Sequence, residues 1–308
     1  MFISIFVKIV RLLAETTVLK YLDNLVLYNK LTIMEHQTLL SYLLNHYNQL
    51  TSNLNKATSP DNTEAIHDIR VSIKRLNALF KYLSFANQTE MKSPDRKLRH
   101  LFKASGKLRD AQVQQQLLAT YEQSTQRKFV RLHTYILRVE LYSEFEFIIE
   151  LNKTNKRKLN TFLDNAQTFL KKAVILEIET SAIQFIHKTF HDIDLLLPLY
   201  NDDAAIHNIR KLVKTIVYIL EINAITSKED LLRVPLKKIK KLGEMLGHWH
   251  DLAVMLQFLR QYEIECKRSG LTKRKKYNDL YHLVEKDKIV LFDKFDQKYK
   301  LLVSKIRH

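Results

Sequence analysis

The chain has 308 residues and carries 50 lysines and arginines against 33 aspartates and glutamates, which gives a formal net charge of +17. Only four glycines and four prolines argue against a turn-rich β fold and favour long helices. The single cysteine, Cys266, excludes an intramolecular disulfide and fits a reducing compartment, so we expect a cytoplasmic protein. A charge this positive attracts polyanions.

The first 33 residues differ from the rest of the chain. The stretch from Phe2 to Leu13 is apolar apart from Lys8 and Arg11, and it is too short for a membrane span of about 20 residues. It also lacks the basic start and the cleavage site of a secretory signal. We expect residues 1–33 to form an N-terminal extension outside the folded domain, with Met34 as a candidate natural start. The alternative is an amphipathic anchor at a membrane surface.

From Met34 onward, the hydrophobic pattern predicts helices. Apolar residues recur every three or four positions, and no segment alternates with a period of two for long enough to indicate a sheet. The predicted helices cover residues 34–57, 63–86, 95–123, 126–172, 174–195, 201–223, 234–268 and 272–305, and the fourth could break near residues 151–155. The expected fold class is all-α.

A short sequence occurs twice within these helices. The phrase Ala-Ile-His-Asp-Ile-Arg at residues 65–70, followed by Lys74, returns 140 positions later at residues 205–210, with asparagine in place of the aspartate and followed by Lys214. Each copy is followed by a basic segment that ends in the motif Gly-x-x-x-Asp-x-x-Val. The motif begins at Gly106 after the first copy and at Gly247 after the second. We infer an internal duplication, with a first half at 34–174 and a second half at 175–308. Such a repeat suggests a two-fold site for an anionic ligand.

Both copies place their basic residues on one side of a helix. At about 100° per residue, His67, Arg70 and Lys74 lie together, opposite an apolar stripe that includes Ile69 and Ile73. The helix after each copy has the same two-sided pattern. Its cationic positions are Arg96, Arg99, Lys103 and Lys107 in the first half and Lys237, Lys240 and Lys241 in the second.

These motifs resemble those of the CHAD domain, the conserved histidine α-helical domain, from about Met34 to the C-terminus. The resemblance implies an all-helical fold of two pseudo-symmetric four-helix bundles around a basic central pore that binds inorganic polyphosphate. By position, His67, Arg70 and Lys74 match the first signature helix, and His207, Arg210 and Lys214 match the second. Lys74 stands where the family usually has arginine, and His250 takes the place that Arg109 holds in the first half.

The chemistry of these side chains suits a chain of phosphates. Arginine offers a planar fork for two phosphate oxygens, and lysine offers a mobile point charge. The candidate polyphosphate-binding residues are His67, Arg70, Lys74, Arg96, Arg99, Lys103, Lys107, His207, Arg210, Lys214, Lys237, Lys240 and Lys241. Because imidazole titrates near pH 6.5, the two histidines predict binding that tightens as pH falls from about 8 to 6. We interpret Asp110 and Asp251 as structural partners that orient basic side chains.

We expect no enzymatic activity, cofactor or metal. His248 and His250, two residues apart on a helix, point about 200° apart and cannot share one ion there. Cys266 has no local nucleophile signature, and the chain has no glycine-rich nucleotide loop. The Glu-x-Glu-x-Lys mark of the CYTH hydrolases often linked to CHAD domains is incomplete at Glu144-Phe145-Glu146, because Ile148 replaces the lysine.

The main alternative is a general polyanion or nucleic-acid-binding protein, since a chain of this charge holds any phosphate polymer to some degree. Specific single-strand binding commonly uses exposed aromatic rings. On the signature helices and those that follow, most aromatic residues fall on the apolar face, and Tyr218 is the exception. We therefore expect non-specific binding of nucleic acid at most. Polyphosphate granules are a further candidate partner.

Overall fold

The structure is a computed structural model, and it describes residues 37–57, 63–89, 96–154, 156–172, 178–226, 236–271 and 275–307. Within these ranges the chain is helical and contains no strand, which confirms the all-α prediction. The helices are α1 (37–56), α2 (Thr63–Ala86), α3 (Arg96–Thr125), α4 (Val130–Asn152), α5 (Lys156–Lys172), α6 (Ile178–Leu196), α7 (Asp203–Thr226), α8 (Leu236–Arg268) and α9 (Lys275–Arg307), with a 3₁₀ turn at Leu197–Leu199. The extension at 1–33 and Met34 lie outside the described residues.

The predicted fourth helix, 126–172, is two helices, α4 and α5, separated near the predicted break. Its start is also later than predicted, because α3 continues to Thr125 and Gln126 has a positive φ of 52°. A carboxylate oxygen of Glu122 accepts a hydrogen bond from the Phe129 backbone N–H at 2.6 Å, which fixes the connection before α4 begins.

Two hydrophobic cores hold the helices together. The larger core is built around α1, α2, α5, α6 and α7, with contributions from parts of α3, α4, α8 and α9. The smaller core joins the later part of α3, the first half of α4, the later part of α8 and the start of α9. Both cores contain residues from before and after residue 175. The division into two halves remains a prediction from the sequence repeat, and their arrangement as two four-helix bundles remains an expectation from the family resemblance.

The helices that carry the repeated phrase lie side by side. Helix α2 packs on α3, α6 and α7, and α7 also packs on α8. In α2 the apolar stripe is buried, as Ile69, Ile73 and Leu76 are each no more than 3% exposed. Helix α7 begins at Asp203, where a carboxylate oxygen of the preceding Asp202 accepts the Ala204 backbone N–H at 2.8 Å. With the apolar faces turned into the core, the polar faces are left to form the site.

Candidate functional site

The two copies of the repeated phrase bring their charges into one group. The positive charges of Arg70 and Arg210 act on each other, and those of Arg210 and Lys214 act on Lys74. We call Arg70, Lys74, Arg210 and Lys214 the basic cluster. Six further ionisable residues lie close enough to interact electrostatically with the basic cluster. They are His67, Arg109, Asp110, His207, His250 and Asp251.

Arg70 is held firmly by α3. Its Nη1 donates to the Phe102 carbonyl oxygen at 2.9 Å and to the Ser105 hydroxyl at 3.4 Å, and its guanidinium lies 4.7 Å from the centre of the Phe102 ring. Gly106 makes this approach possible, since a Cβ there would lie only 2.8 Å from Arg70 Nη1. The glycine of the first Gly-x-x-x-Asp motif therefore leaves room for the arginine of the signature helix.

Lys74, Arg210 and Lys214 lack such support. The Nε of Arg210 is buried and has no hydrogen-bond partner among the described residues. Burial and the neighbouring cations lower the pKa of Lys74 to about 7 and also lower the pKa of Lys214. Neither ammonium group forms an ion pair with a carboxylate of the described part of the chain. The cluster therefore holds positive charge that no carboxylate of the described residues neutralises at close range.

The histidines differ from the expectation that they titrate near pH 6.5. Burial, followed by nearby cations, lowers the pKa of both His67 and His207. Burial lowers the pKa of His250 further, to about 3, and its ring centre lies 5.1 Å from that of His207. In the free protein these rings are mostly neutral at pH 7, and Lys74 is the group of the site that titrates near neutrality.

Asp110 and Asp251 are the acidic members of the site. Burial raises the pKa of both carboxyl groups, and the negative charge of Asp251 raises that of Asp110 further. Their charges favour the protonated guanidinium groups of Arg70 and Arg210, respectively. This attraction agrees with the structural role that the sequence predicts, although neither carboxylate forms an ion pair with these arginines within 4.0 Å in the described chain.

One edge of the basic cluster is bounded by a bridging carboxylate. Glu221 of α7 pairs with Arg75 of α2 at 3.3 Å and with Lys240 of α8 at 2.8 Å. The guanidinium of Arg75 also lies 5.9 Å from the centre of the Tyr218 ring. Arg75 and Glu221 line an open cavity of about 730 Å³ against α1, where the buried hydroxyl of Tyr42 has no hydrogen-bond partner in the described chain.

The cationic positions of α3 and α8 do not all join the basic cluster. Lys107 pairs with Glu146 of α4 at 2.7 Å, and Lys240 is engaged by Glu221, so both cations are already partly neutralised. Four others have exposed side chains, namely Arg99, Lys103, Lys237 and Lys241. The Arg96 side chain lies outside the described part of the structure. Their assignment as ligand-binding residues remains a prediction.

Sequence reasoning missed Ser105 and Glu221 as residues that shape the site. Both could have been found by comparing the two copies position by position. Ser105 of the first copy corresponds to Leu246 in the second, and Lys81 of the first corresponds to Glu221. Within an otherwise matching repeat, the change from serine to leucine and the change from lysine to glutamate mark positions where the contacts of the two copies differ.

The described residues contain no group of three or more histidine, cysteine or acidic side chains placed to hold a metal ion. No helix among them is long and apolar enough to cross a membrane. What the basic cluster offers a ligand is the positive charge of its lysine and arginine side chains.

Comparisons with known proteins place this chain in a family. The fold is similar to that of the crystal structure of the CHAD domain from the plant Ricinus communis, with a TM-score of 0.59 and 16% identity over 88% of this chain and 91% of that one. It is also similar to PptA from Streptomyces chartreusis, with a TM-score of 0.62 and 13% identity over 87% of this chain and 99% of that one. No curated protein sequence matches. The family model of the CHAD domain matches residues 41–260, so the chain belongs to the CHAD domain family.

Proposed function

We propose that this protein binds inorganic polyphosphate through Lys74, Arg210 and Lys214 of the basic cluster and does not cleave it. One observation carries the proposal. Lys74, Arg210 and Lys214 come from both copies of the repeated phrase, lie largely buried, and have no ion-pair partner among the described carboxylates. The polyphosphate binding for which the CHAD family is known supports the same reading.

The cost of this arrangement explains why an anion is the expected ligand. Burying a charged group without a partner is unfavourable, and here the cost is visible in the lowered pKa of Lys74. A bound phosphate oxygen would supply the missing negative charge and accept hydrogen bonds from both ammonium and guanidinium groups. Attraction to the bound anion would offset the unfavourable free energy of holding these cations close together in the free protein.

The aromatic residues of the signature helices and of the helices that follow them favour a bare phosphate chain over nucleic acid. Phe80 and Trp249 are buried in the core, at 6% and 1% exposure, and Phe102 lies against the guanidinium of Arg70. Tyr218 is half-buried beside Arg75. These rings are not placed to stack on bases, which is the usual source of single-strand affinity. We therefore expect polyphosphate to bind more tightly than nucleic acid of equal charge.

The test is a titration of the full chain with long-chain polyphosphate of defined length, beside single-stranded and duplex nucleic acid of equal total charge, at roughly 150 mM salt. We expect polyphosphate to bind about 100-fold more tightly, a difference of about 2.7 kcal/mol. The Lys74→Met/Lys214→Met variant should lose this preference. A control with the same loss of charge, Lys286→Met/Lys294→Met on the exposed face of α9, should keep it.

Equal affinity for all three polymers would overturn the proposal and identify a general polyanion binder. Loss of the preference in the α9 control would do the same, because it would show that overall charge decides binding. Release of orthophosphate during prolonged incubation with the purified protein, absent from the Lys74→Met/Lys214→Met variant, would overturn the claim that the polymer is not cleaved.

A further inference from the structure

The two matching arginines of the repeat have different surroundings. Nη1 of Arg70 donates hydrogen bonds to the Phe102 carbonyl oxygen and the Ser105 hydroxyl, and the guanidinium lies over the Phe102 ring. With an offset of 141 residues between α3 and α8, Phe102 corresponds to Gly243 and Ser105 corresponds to Leu246. The second copy therefore has neither the ring nor the hydroxyl that holds the first arginine.

The space beside the second arginine differs as well. A Cβ at Gly106 would lie 2.8 Å from Arg70, whereas a Cβ at the matching Gly247 would meet nothing within 4 Å. Arg210 thus does not lie against the glycine of its own half. Its Nε is buried and without a hydrogen-bond partner in the described chain, and no ion pair engages its guanidinium there.

Arg210 also has the more central electrostatic position. Its charge acts on Lys74 and Arg70 of the first copy, and on His207, Lys214 and Asp251 of its own copy. Lys214 lies close by on the same helix, with its side chain packed at 3.4 Å from the position of a Cβ on Gly243. The place occupied by Phe102 in the first copy is here taken up by a lysine.

We infer that the repeat forms one phosphate-binding locus rather than two equivalent ones, with Arg210 as its phosphate-gripping arginine and Lys74 and Lys214 beside it. Arg70 is a positioning residue, whose Nη1 ties α2 to α3. This inference rests on the proposed function and goes beyond it, because the sequence repeat by itself predicts equal roles for the two arginines. The free guanidinium of Arg210 can offer its planar fork to two oxygens of one phosphate group.

The repeat supplies its own matched pair for the test. Arg70→Lys and Arg210→Lys each keep the charge and remove the fork, at equivalent positions, in the full chain. We expect Arg210→Lys to weaken binding of the same long-chain polyphosphate roughly tenfold to hundredfold, the range for a hydrogen bond to a charged group, with the melting temperature unchanged or raised. Arg70→Lys should lower the melting temperature by several degrees and change affinity by less than about threefold.

Gly106→Ala provides a second, milder test of Arg70. The added methyl group would lie 2.8 Å from Arg70 Nη1, so the arginine must move while its charge stays. Relative to Gly247→Ala, which gains the same helix preference of alanine, this variant should lose stability while it keeps its affinity, which gives a readout even where Arg70→Lys folds poorly. Gly247→Ala is its control and should leave stability unchanged or raise it, since a Cβ there meets nothing within 4 Å.

The outcomes separate the two proposals. Equal losses of affinity in Arg70→Lys and Arg210→Lys, or a larger loss in Arg70→Lys, would overturn the single locus while leaving polyphosphate binding in place. A full-length protein that shows no preference for polyphosphate would instead overturn the proposed function. Unchanged affinity in Arg210→Lys, with binding otherwise intact, would remove Arg210 from the locus.

Discussion

Lys74 is a residue of the site whose charge changes with pH near neutrality. Burial and the charges of Arg70, Arg210 and Lys214 lower its pKa to about 7. A bound anion favours the ammonium form and raises this pKa, so binding above pH 7 takes up a proton. We expect polyphosphate affinity to increase as pH falls from about 9 to about 7, where Lys74 becomes charged before binding. Calorimetric titration in two buffers of different ionisation enthalpy measures the proton uptake.

Two variants identify the group responsible for this pH dependence. Lys74→Arg stays protonated throughout the range and should abolish the proton uptake between about pH 7 and 9. His67→Asn/His207→Asn should leave it unchanged, because the pKa of both rings is lowered from 6.5 in the free protein and a bound anion would have to raise it well above 7 before either ring took up a proton in this range. Proton uptake that disappears in the histidine variant and persists in Lys74→Arg would show that the histidines carry the response, as the sequence alone suggests.

His250 makes the folded protein sensitive to acid. Burial and the nearby cations lower its pKa from 6.5 to about 3. Between these values the unfolded chain binds a proton at this ring and the folded protein does not, so the free energy of unfolding decreases as pH falls through the window. We expect His250→Gln to lose less stability than the wild type between about pH 7 and 4.5, as measured by urea unfolding. His282→Gln, on an exposed part of α9, is the control that should behave like the wild type.

At the scale of the helix, α4 separates a buried face from an apolar face turned to solvent. Leu132 is fully buried, whereas Leu141 is 59% exposed and continues an exposed apolar row with Leu137, Phe145 and Ile148. Leu132→Ala should cost about 2–5 kcal/mol of unfolding free energy, because it leaves a cavity in the smaller core. Leu141→Ala should change stability by no more than about 0.5 kcal/mol. Urea unfolding of the two variants tests whether α4 lies as described, and similar losses would contradict it.

Helix α7 is joined to its neighbours through Glu221, which pairs with Arg75 of α2 and Lys240 of α8. Glu221→Gln should cost about 1 kcal/mol of stability, since both basic partners are partly exposed. It should also raise polyphosphate affinity roughly threefold to tenfold, because one opposing charge beside the cluster is removed. Asp296→Asn breaks a pair within α9 and removes the same charge, yet should leave the affinity close to that of the wild type. An equal gain in both variants would indicate a general effect of net charge.

At the scale of the whole molecule, the sequence predicts the helices well and the pairing of their charges poorly. The apolar period is a local property, so the stripe through Ile69 and Ile73 could be located before the structure was known. Whether a cation is free depends on residues far along the chain. Lys107 is paired with Glu146, 39 positions away, and this partner is fixed only when α3 and α4 pack together. The pKa of Lys74 likewise depends on burial between helices that are distant in sequence.

The same dependence on packing explains why the two copies of the repeat were expected to be equivalent. The residues that they share, such as His67 and His207, are visible in the sequence, and they argue for equal roles. The residues that distinguish them, Ser105 against Leu246 and Phe102 against Gly243, gain their meaning only from the position of Arg70 against α3. A repeat therefore predicts the location of a site better than it predicts the separate roles of the matching residues in the two copies.

The final prediction concerns the stability of the whole molecule with and without its ligand. A polyanion that binds only the folded state adds about 2.7 kcal/mol of unfolding free energy at a hundredfold excess over its dissociation constant. For a chain of this length, that should raise the melting temperature by roughly 3–8 °C. Raising the salt concentration to roughly 0.5 M should remove most of this gain, because screening weakens the attraction between exposed charges and the polymer. Thermal unfolding, followed by circular dichroism over a range of polyphosphate concentrations, measures both effects.

The variant Lys74→Met/Lys214→Met should differ from the wild type in its stability both without and with polyphosphate. It replaces two largely buried ammonium groups, which pair with no carboxylate of the described chain, with apolar side chains of similar length, so the free protein should be as stable as the wild type or more stable. The same change removes two of the three cations proposed to contact the ligand, so added polyphosphate should raise its melting temperature by less than about 1 °C. A free variant that melts well below the wild type would show that the two lysines stabilise the fold. Their burial would then be a feature of packing, and the argument for an anion site would lose its main support.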